Sequence, residues 1–174
     1  MLADPDVCEW PAPACHHGRS EQGCGDCKVR LISVCSVLAL PELEALEALS
    51  QHLVLDKGQT LFGQGERVGS VFNIIAGTLR LTRLLPDGRR QVMGFAIPGD
   101  FLGLALEERA SVSAEALTPV TTCCFDRHDF AALAEARPHL LRSLHARAGY
   151  ELSLAQDHIL LLGRRTAEEK VAAF

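Results

Sequence analysis

Between Leu53 and Phe125 the chain is a succession of short apolar runs, each cut off by a turn signal. The turns are Lys57-Gly58, Gly63-Gln64-Gly65, Ala76-Gly77, Pro86-Asp87-Gly88 and Pro98-Gly99-Asp100. The runs include Val71–Ile75, Leu79–Leu84, Gln91–Ile97 and Val120–Phe125. Runs this short, bounded by glycine and proline, read as strands. Leu79, Leu81 and Arg83 alternate with their neighbours at strand period, and Asp87-Gly88 between two runs is a hairpin signal. Evenly spaced short strands with glycine turns restrict the fold to an antiparallel sandwich, roll or barrel.

Helical texture flanks the strands. In Leu40–Leu49, Pro41 suits a first helical turn, Glu42 and Glu44 suit the positive end, and Leu43, Leu46 and Leu49 share a face. Arg127 to Arg137 reads as a short helical piece that ends before Pro138. Beyond it, Leu141, Leu144, Ala148, Leu152, Ala155, Ile159 and Leu162 recur in steps of three and four. Such a narrow stripe on a long helix predicts pairing with a second copy of the chain. Gly163 and Arg164-Arg165 mark its end, and Thr166 with Glu169 reads as the capping box of a further helix.

The 174 residues carry a net charge of −5 and seven cysteines. A mildly acidic chain lacks the basic footprint of a nucleic-acid surface. No apolar run is long enough to cross a membrane, and the N-terminus has no signal-peptide pattern, so a cytoplasmic location is expected. In a reducing compartment, cysteines read as metal or redox chemistry. Cys24, Cys27 and Cys35 fall within twelve residues in a Cys-x2-Cys-x7-Cys run. Three neighbouring thiols want a fourth ligand, for a tetrahedral zinc site or for an iron–sulfur cluster. Cys8, Cys15 and His16-His17, in a Pro- and Gly-rich leader, receive no role. No nucleophile elbow, phosphate loop or paired carboxylates appear, which argues against an enzyme.

Four motifs together resemble the sensory half of oxygen-responsive Fnr-type transcription regulators in the CRP/Fnr superfamily, closest to the alphaproteobacterial Fnr-like subgroup. They are the three-cysteine run, Thr122-Cys123-Cys124-Phe125, Ile97-Pro98-Gly99-Asp100-Phe101-Leu102-Gly103, and the stretch from Ile159 to Lys170. The resemblance covers Cys24 to Phe174. It implies an α+β fold: an antiparallel β-roll sensor domain, jelly-roll-like, with an N-terminal cysteine-rich segment and a long C-terminal dimerisation helix. It also implies a [4Fe–4S] cluster on four cysteines, three N-terminal and one from the roll. Cys24, Cys27 and Cys35 match the first three. The family pattern puts the fourth at Cys123, with Cys124 as the alternative. Strand neighbours face opposite sides, so only one of the two reaches a given site.

The expected organisation is a leader over 1–23, a cluster-binding loop and short helix over 24–50, the roll over 53–137, the dimerisation helix over 138–163, and over 164–174 the start of a DNA-binding helix-turn-helix domain. A homodimer, DNA through that further domain, and RNA polymerase at the loop Leu84 to Gln91 are the implied partners. Cyclic-nucleotide sensors of the superfamily carry a Gly-Glu start to their phosphate cassette. Here Gly103 is followed by Leu104, so no cyclic nucleotide is expected, and Arg109 reads as a loop residue. A haem would need an axial ligand, and His128 is the histidine singled out for it. The function read from this stage is an oxygen-responsive regulator of anaerobic gene expression. The alternatives are a zinc-stabilised dimeric interaction module and a small-molecule or redox-sensing regulator without a cluster.

Overall fold

The Asp87-Gly88 turn closes a hairpin between β4 (Leu79–Leu84) and β5 (Arg90–Ala96), with Leu84 opposite Arg90. Gly88 takes φ +83°, and the Leu85 and Gly88 amides donate to the Arg89 and Leu85 carbonyls at 2.8 and 2.9 Å. The computed structural model in which this is seen describes residues 23–103 and 109–164. The leader calls at Cys8, Cys15 and His16-His17, Leu104, and the capping box at Thr166 lie outside the described residues.

Among the described residues, eight strands form two four-stranded antiparallel sheets. The first runs β1 (Ser50–Leu55), β8 (Val120–Asp126), β3 (Ser70–Ala76), β6 (Phe101–Leu102). The second runs β2 (Thr60–Phe62), β7 (Ser113–Ala116), β4, β5. Leu55, Phe62, Phe72, Ile74, Leu79 and Val120 belong to a core cluster drawn from both sheets, with the Phe62 and Phe72 rings 6.0 Å apart. The predicted roll is the observed one. Its first strand begins at Ser50 rather than near Leu53, because the polar Ser-Gln-His start pairs along an edge of the sheet.

The alternation read over Leu79, Leu81 and Arg83 breaks. Leu79 is fully buried and Leu81 half-buried, but then Thr82 is buried while Arg83 and Leu84 are exposed. The β4–β5 register is irregular at the same point: Leu81 pairs with Gly94 and Thr82 with Val92, which leaves Met93 on β5 as the extra residue.

Three helices cover the other face of the first sheet. α1 (Leu40–Leu49) buries Leu43 and Leu46, and Leu49 packs beside them. The Glu42 carboxylate reaches back to the Ala39 amide at 2.9 Å, half of a capping box, since Ala39 offers no side-chain acceptor. α2 (Arg127–Glu135) is capped by Asp126, whose Oδ1 accepts the His128 and Asp129 amides at 2.8 and 3.1 Å. α3 (Pro138–Arg164) is a single helix of 27 residues. Its first turns bury Leu140 and Leu144 against Phe101, Phe125 and Phe130, whose ring centroids lie 5.1 to 6.3 Å apart. Each such side chain, fully buried, contributes roughly 1.5–3 kcal/mol.

Along the rest of α3 the apolar stripe is open. Leu141, Ala148, Leu152, Ala155 and Ile159 are exposed, Leu152 by 60% and Ile159 by 67%. Leu144 departs from the expected seam: it is 9% exposed and belongs to the core of its own chain. Tyr150 and Leu154 add exposed apolar surface that the heptad count does not include. The side chain of Leu162 lies outside the described residues. No described helix is long and apolar enough to cross a membrane.

Candidate metal centre

The cysteine segment lies against the helical layer as three short 3-10 turns, Cys24–Asp26, Arg30–Ile32 and Val34–Val37. Such turns follow from local carbonyl-to-amide bonds, Asp26 to Gly23 and Arg30 to Cys27 among them, at 3.0 and 3.1 Å. Val34, Cys35 and Leu38 anchor the segment in the core. Two polar contacts fix its ends. The Cys24 amide donates to Glu47 Oε2 on α1 at 2.9 Å, and the Cys35 amide to Ser33 Oγ at 3.3 Å.

Cys123 enters the same core from β8. Cys35 and Cys123 are members of one buried cluster, and Cys24 packs against it. Cys124, its strand neighbour, instead packs against the roll interior, on the opposite face of the sheet. Cys24, Cys27 and Cys35, with Cys124 after them, are close enough to raise the thiol pKa of Cys123, after burial, which is the larger cause. Burial likewise leads for Cys24, pushed up to about 11 with Glu47, Cys35 and Cys27 adding to it. Burial also raises Cys35, against the opposing pulls of Ser33 and Arg30. As anions these sulfurs repel one another, so the set becomes fully deprotonated only around positive charge, which a metal centre supplies.

Among the described residues, the one trio of ligand-type atoms within 4.8 Å of one another is Asp126, His128 and Asp129. That trio is the exposed α2 cap, with the Asp126 carboxylate already occupied by backbone amides. No three cysteine sulfurs among the described residues all lie within that distance of one another. A single zinc ion draws its sulfurs to about 3.8 Å from each other, given Zn–S bonds of about 2.3 Å. A cubane of four irons and four sulfides holds its thiolates wider. A set of four thiols suits either centre.

Around Cys123 the sheet supplies a polar row that sequence reading did not find. His52 on β1 and Asn73 on β3 are its register partners on either side. His52 Nε2 lies 3.7 Å from the Cys123 sulfur. Asn73 is 2% exposed, and its Oδ1 has no hydrogen-bond partner. A buried amide oxygen left unpaired costs about 1–3 kcal/mol. The missing signal was the strand start at Ser50, which alone brings His52 opposite Cys123. His128, singled out from the sequence, is 93% exposed at its side chain and does not face the roll interior. Arg109 donates from Nη1 to the Gly65 carbonyl at 2.7 Å.

A β-roll with a helical layer and a long carboxy-terminal helix defines the class of sensor domain to which the chain's match is found. Residues 52–137 match the family described as Cyclic nucleotide-binding domain. The chain is 48% identical over 87% of its length to the nitrogen fixation regulation protein FixK of Bradyrhizobium diazoefficiens, covering 64% of that protein. It is 47% identical over 95% of its length to the transcriptional activatory protein AadR of Rhodopseudomonas palustris, covering 68% of it. The structure of FixK2 from Bradyrhizobium japonicum superimposes with a TM-score of 0.65 at 34% identity, over 72% of this chain and 63% of that one. The chain belongs to the CRP/Fnr family of transcription regulators. It spans roughly two thirds of the length of these relatives.

Proposed function

We propose that this chain is the sensing and dimerising part of a cytoplasmic transcription regulator that responds to oxygen. Cys24, Cys27, Cys35 and Cys123 hold a [4Fe–4S] cluster. The observation that carries the reading is the shared core: Cys35, Cys123, Leu140 and Leu144 lie in one buried cluster, so the thiols and the root of α3 pack together. The names of FixK and AadR support the regulator class.

When bound, the cluster supplies an inorganic core that oxygen degrades. The chain's own residues do the rest. Cys24, Cys27 and Cys35 hold the N-terminal segment down on the helical layer, and Cys123 holds the sheet side. Val34 and Leu38 follow the segment into the core, which seats the first turns of α3. With that root fixed, the exposed face of α3 at Leu141, Ala148, Leu152, Ala155 and Ile159, continued by Leu162, pairs with a second copy. Two-fold pairing sets the spacing of two DNA-reading modules on the duplex. When the segment is released, α3 loses part of its seat, and the equilibrium shifts from the DNA-binding dimer. The β4–β5 loop from Leu84 to Gln91 is the surface assigned to RNA polymerase.

Anaerobic reconstitution tests the reading. The expected product is brown and carries about four irons and four sulfides per chain. A colourless chain carrying one zinc and no sulfide would replace it with the zinc-stabilised module.

A further inference from the structure

The helix α3 leaves the body of the chain between Leu144, the last buried leucine among its described side chains, and Ala148, an exposed seam position. Arg147 stands at that point. Its Nη2 donates to Asp100 Oδ1 at 2.6 Å, and its Nη1 donates to the Ile32 carbonyl at 3.4 Å. Three segments far apart in sequence thus share one guanidinium: the stretch between Cys27 and Cys35, the β5–β6 turn, and α3. Both charged side chains are largely shielded, Arg147 by three quarters and Asp100 by two thirds of their surface.

Both partners of Arg147 are held in place. Asp100 Oδ2 accepts the Ile97 amide at 2.9 Å, and the Asp100 carbonyl accepts the Ile74 amide at 3.0 Å, so the turn is pinned to β3. The Ile32 side chain lies directly on Gly99. A Cβ at Gly99 would sit 3.0 Å from Ile32 Cγ1, and the residue holds φ +95°. Ile32 itself is 60% exposed and its turn buries no residue, so core packing does not hold it there. Glu151, one helical turn on, feels both charges: burial and Asp100 raise its pKa, and Arg147 opposes them.

We propose that Arg147 is a positioning residue, a latch that ties the placement of the α3 seam to the order of the cysteine loop. The bond to Ile32 exists only while the loop follows its 3-10 path over Gly99. The bond to Asp100 persists without the loop. With both made, the guanidinium fork fixes the helix relative to the roll at two points. With one, α3 keeps its anchor and loses its alignment. The coupling is reciprocal, so seam pairing orders the loop in return. The proposal rests on the reading of thiols and seam given above.

The test compares the wild-type chain with Arg147→Met and Arg147→Lys. Lysine keeps the charge for Asp100 but lacks the fork that reaches two acceptors. Hydrogen exchange, with each chain kept anaerobic throughout, is read over residues 28–38 and, as a control, over β8. The expected result is exchange about tenfold faster over 28–38 in both variants, with β8 unchanged. A merely structural role predicts near-normal exchange in Arg147→Lys, where the ion pair survives. Sedimentation of the anaerobically reconstituted chain is the second readout. The expected result is unchanged iron per chain with a dimer about tenfold weaker. Exchange over 28–38 equal to wild type in both variants overturns the latch, whatever the dimer constant. If the wild type takes up no iron and sulfide, the cluster reading falls, and the exchange measurement decides the latch by itself. If Arg147→Met does not fold, Arg147→Lys carries the same comparison.

Discussion

His52 on β1 and Cys123 on β8 face each other across one rung of the antiparallel pair, with Nε2 and Sγ 3.7 Å apart. The histidine comes from an edge strand and the cysteine from the strand beside it, so their relation is set by backbone register. An N–H donor at a cluster thiolate stabilises the more negative, reduced state. His52→Leu is expected to shorten the aerobic lifetime of the visible absorption several-fold, toward the low end of the tenfold to hundredfold effects of outer-shell partners. His52→Gln keeps a donor and is expected to stay near wild type. Equal decay rates in all three chains would exclude a role for His52.

The opposite faces of Cys123 and Cys124 make the second prediction. Cys123→Ser is expected to abolish anaerobic iron and sulfide uptake, and Cys124→Ser to leave it intact, because Cys124 packs against the roll interior. Iron analysis of the two variants checks it. The reverse outcome would require β8 to be turned over.

Two leucines of α3 separate folding from association. Leu140 is fully buried, and Leu140→Ala is expected to cost about 2–5 kcal/mol in denaturant unfolding. Leu152 is 60% exposed, and Leu152→Glu is expected to leave the monomer's stability nearly unchanged while weakening self-association at least tenfold. Sedimentation equilibrium beside urea titration distinguishes them. A Leu152→Glu chain that dimerises normally would show that the stripe is not the interface.

Glu42 predicts a pH dependence. The Ala39 amide, then His139 and Arg137, hold its carboxyl below the usual value of 4.5. A depressed folded pKa means its stabilisation is fully present above about pH 4.5 and is lost as pH falls through the lower folded value. Glu42→Gln is therefore expected to melt below wild type at neutral pH, with the difference closing under acid conditions. A difference that widens on acidification would contradict the ion-pair assignment.

Much of this architecture was legible, because it rests on local rules. The Asp87-Gly88 hairpin, the Leu43 and Leu46 face of α1 and the opposed faces of Cys123 and Cys124 each follow from a single element's period. What was not legible depends on pairing between elements. The extra residue Met93 on β5, opposite Leu81 and Thr82, is seen by no alternation count. Leu144 continues the heptad stripe in sequence but turns inward, because the first turns of α3 still lie on the sheet. His52, Asn73 and Arg147 look unremarkable alone. Their meaning comes from neighbours dozens of residues away.

β8 is hydrogen-bonded on both sides, to β1 and to β3, and the Thr122 hydroxyl donates to the Asn73 carbonyl at 2.8 Å. Cys123 therefore cannot shift unless the sheet opens. The other three thiols ride on one short stretch of 3-10 turns. On the proposed reading, loss of the centre is repairable. The detached piece is small and contiguous, its partner surface stays in shape, and restoring the centre means re-docking a dozen residues rather than refolding a domain.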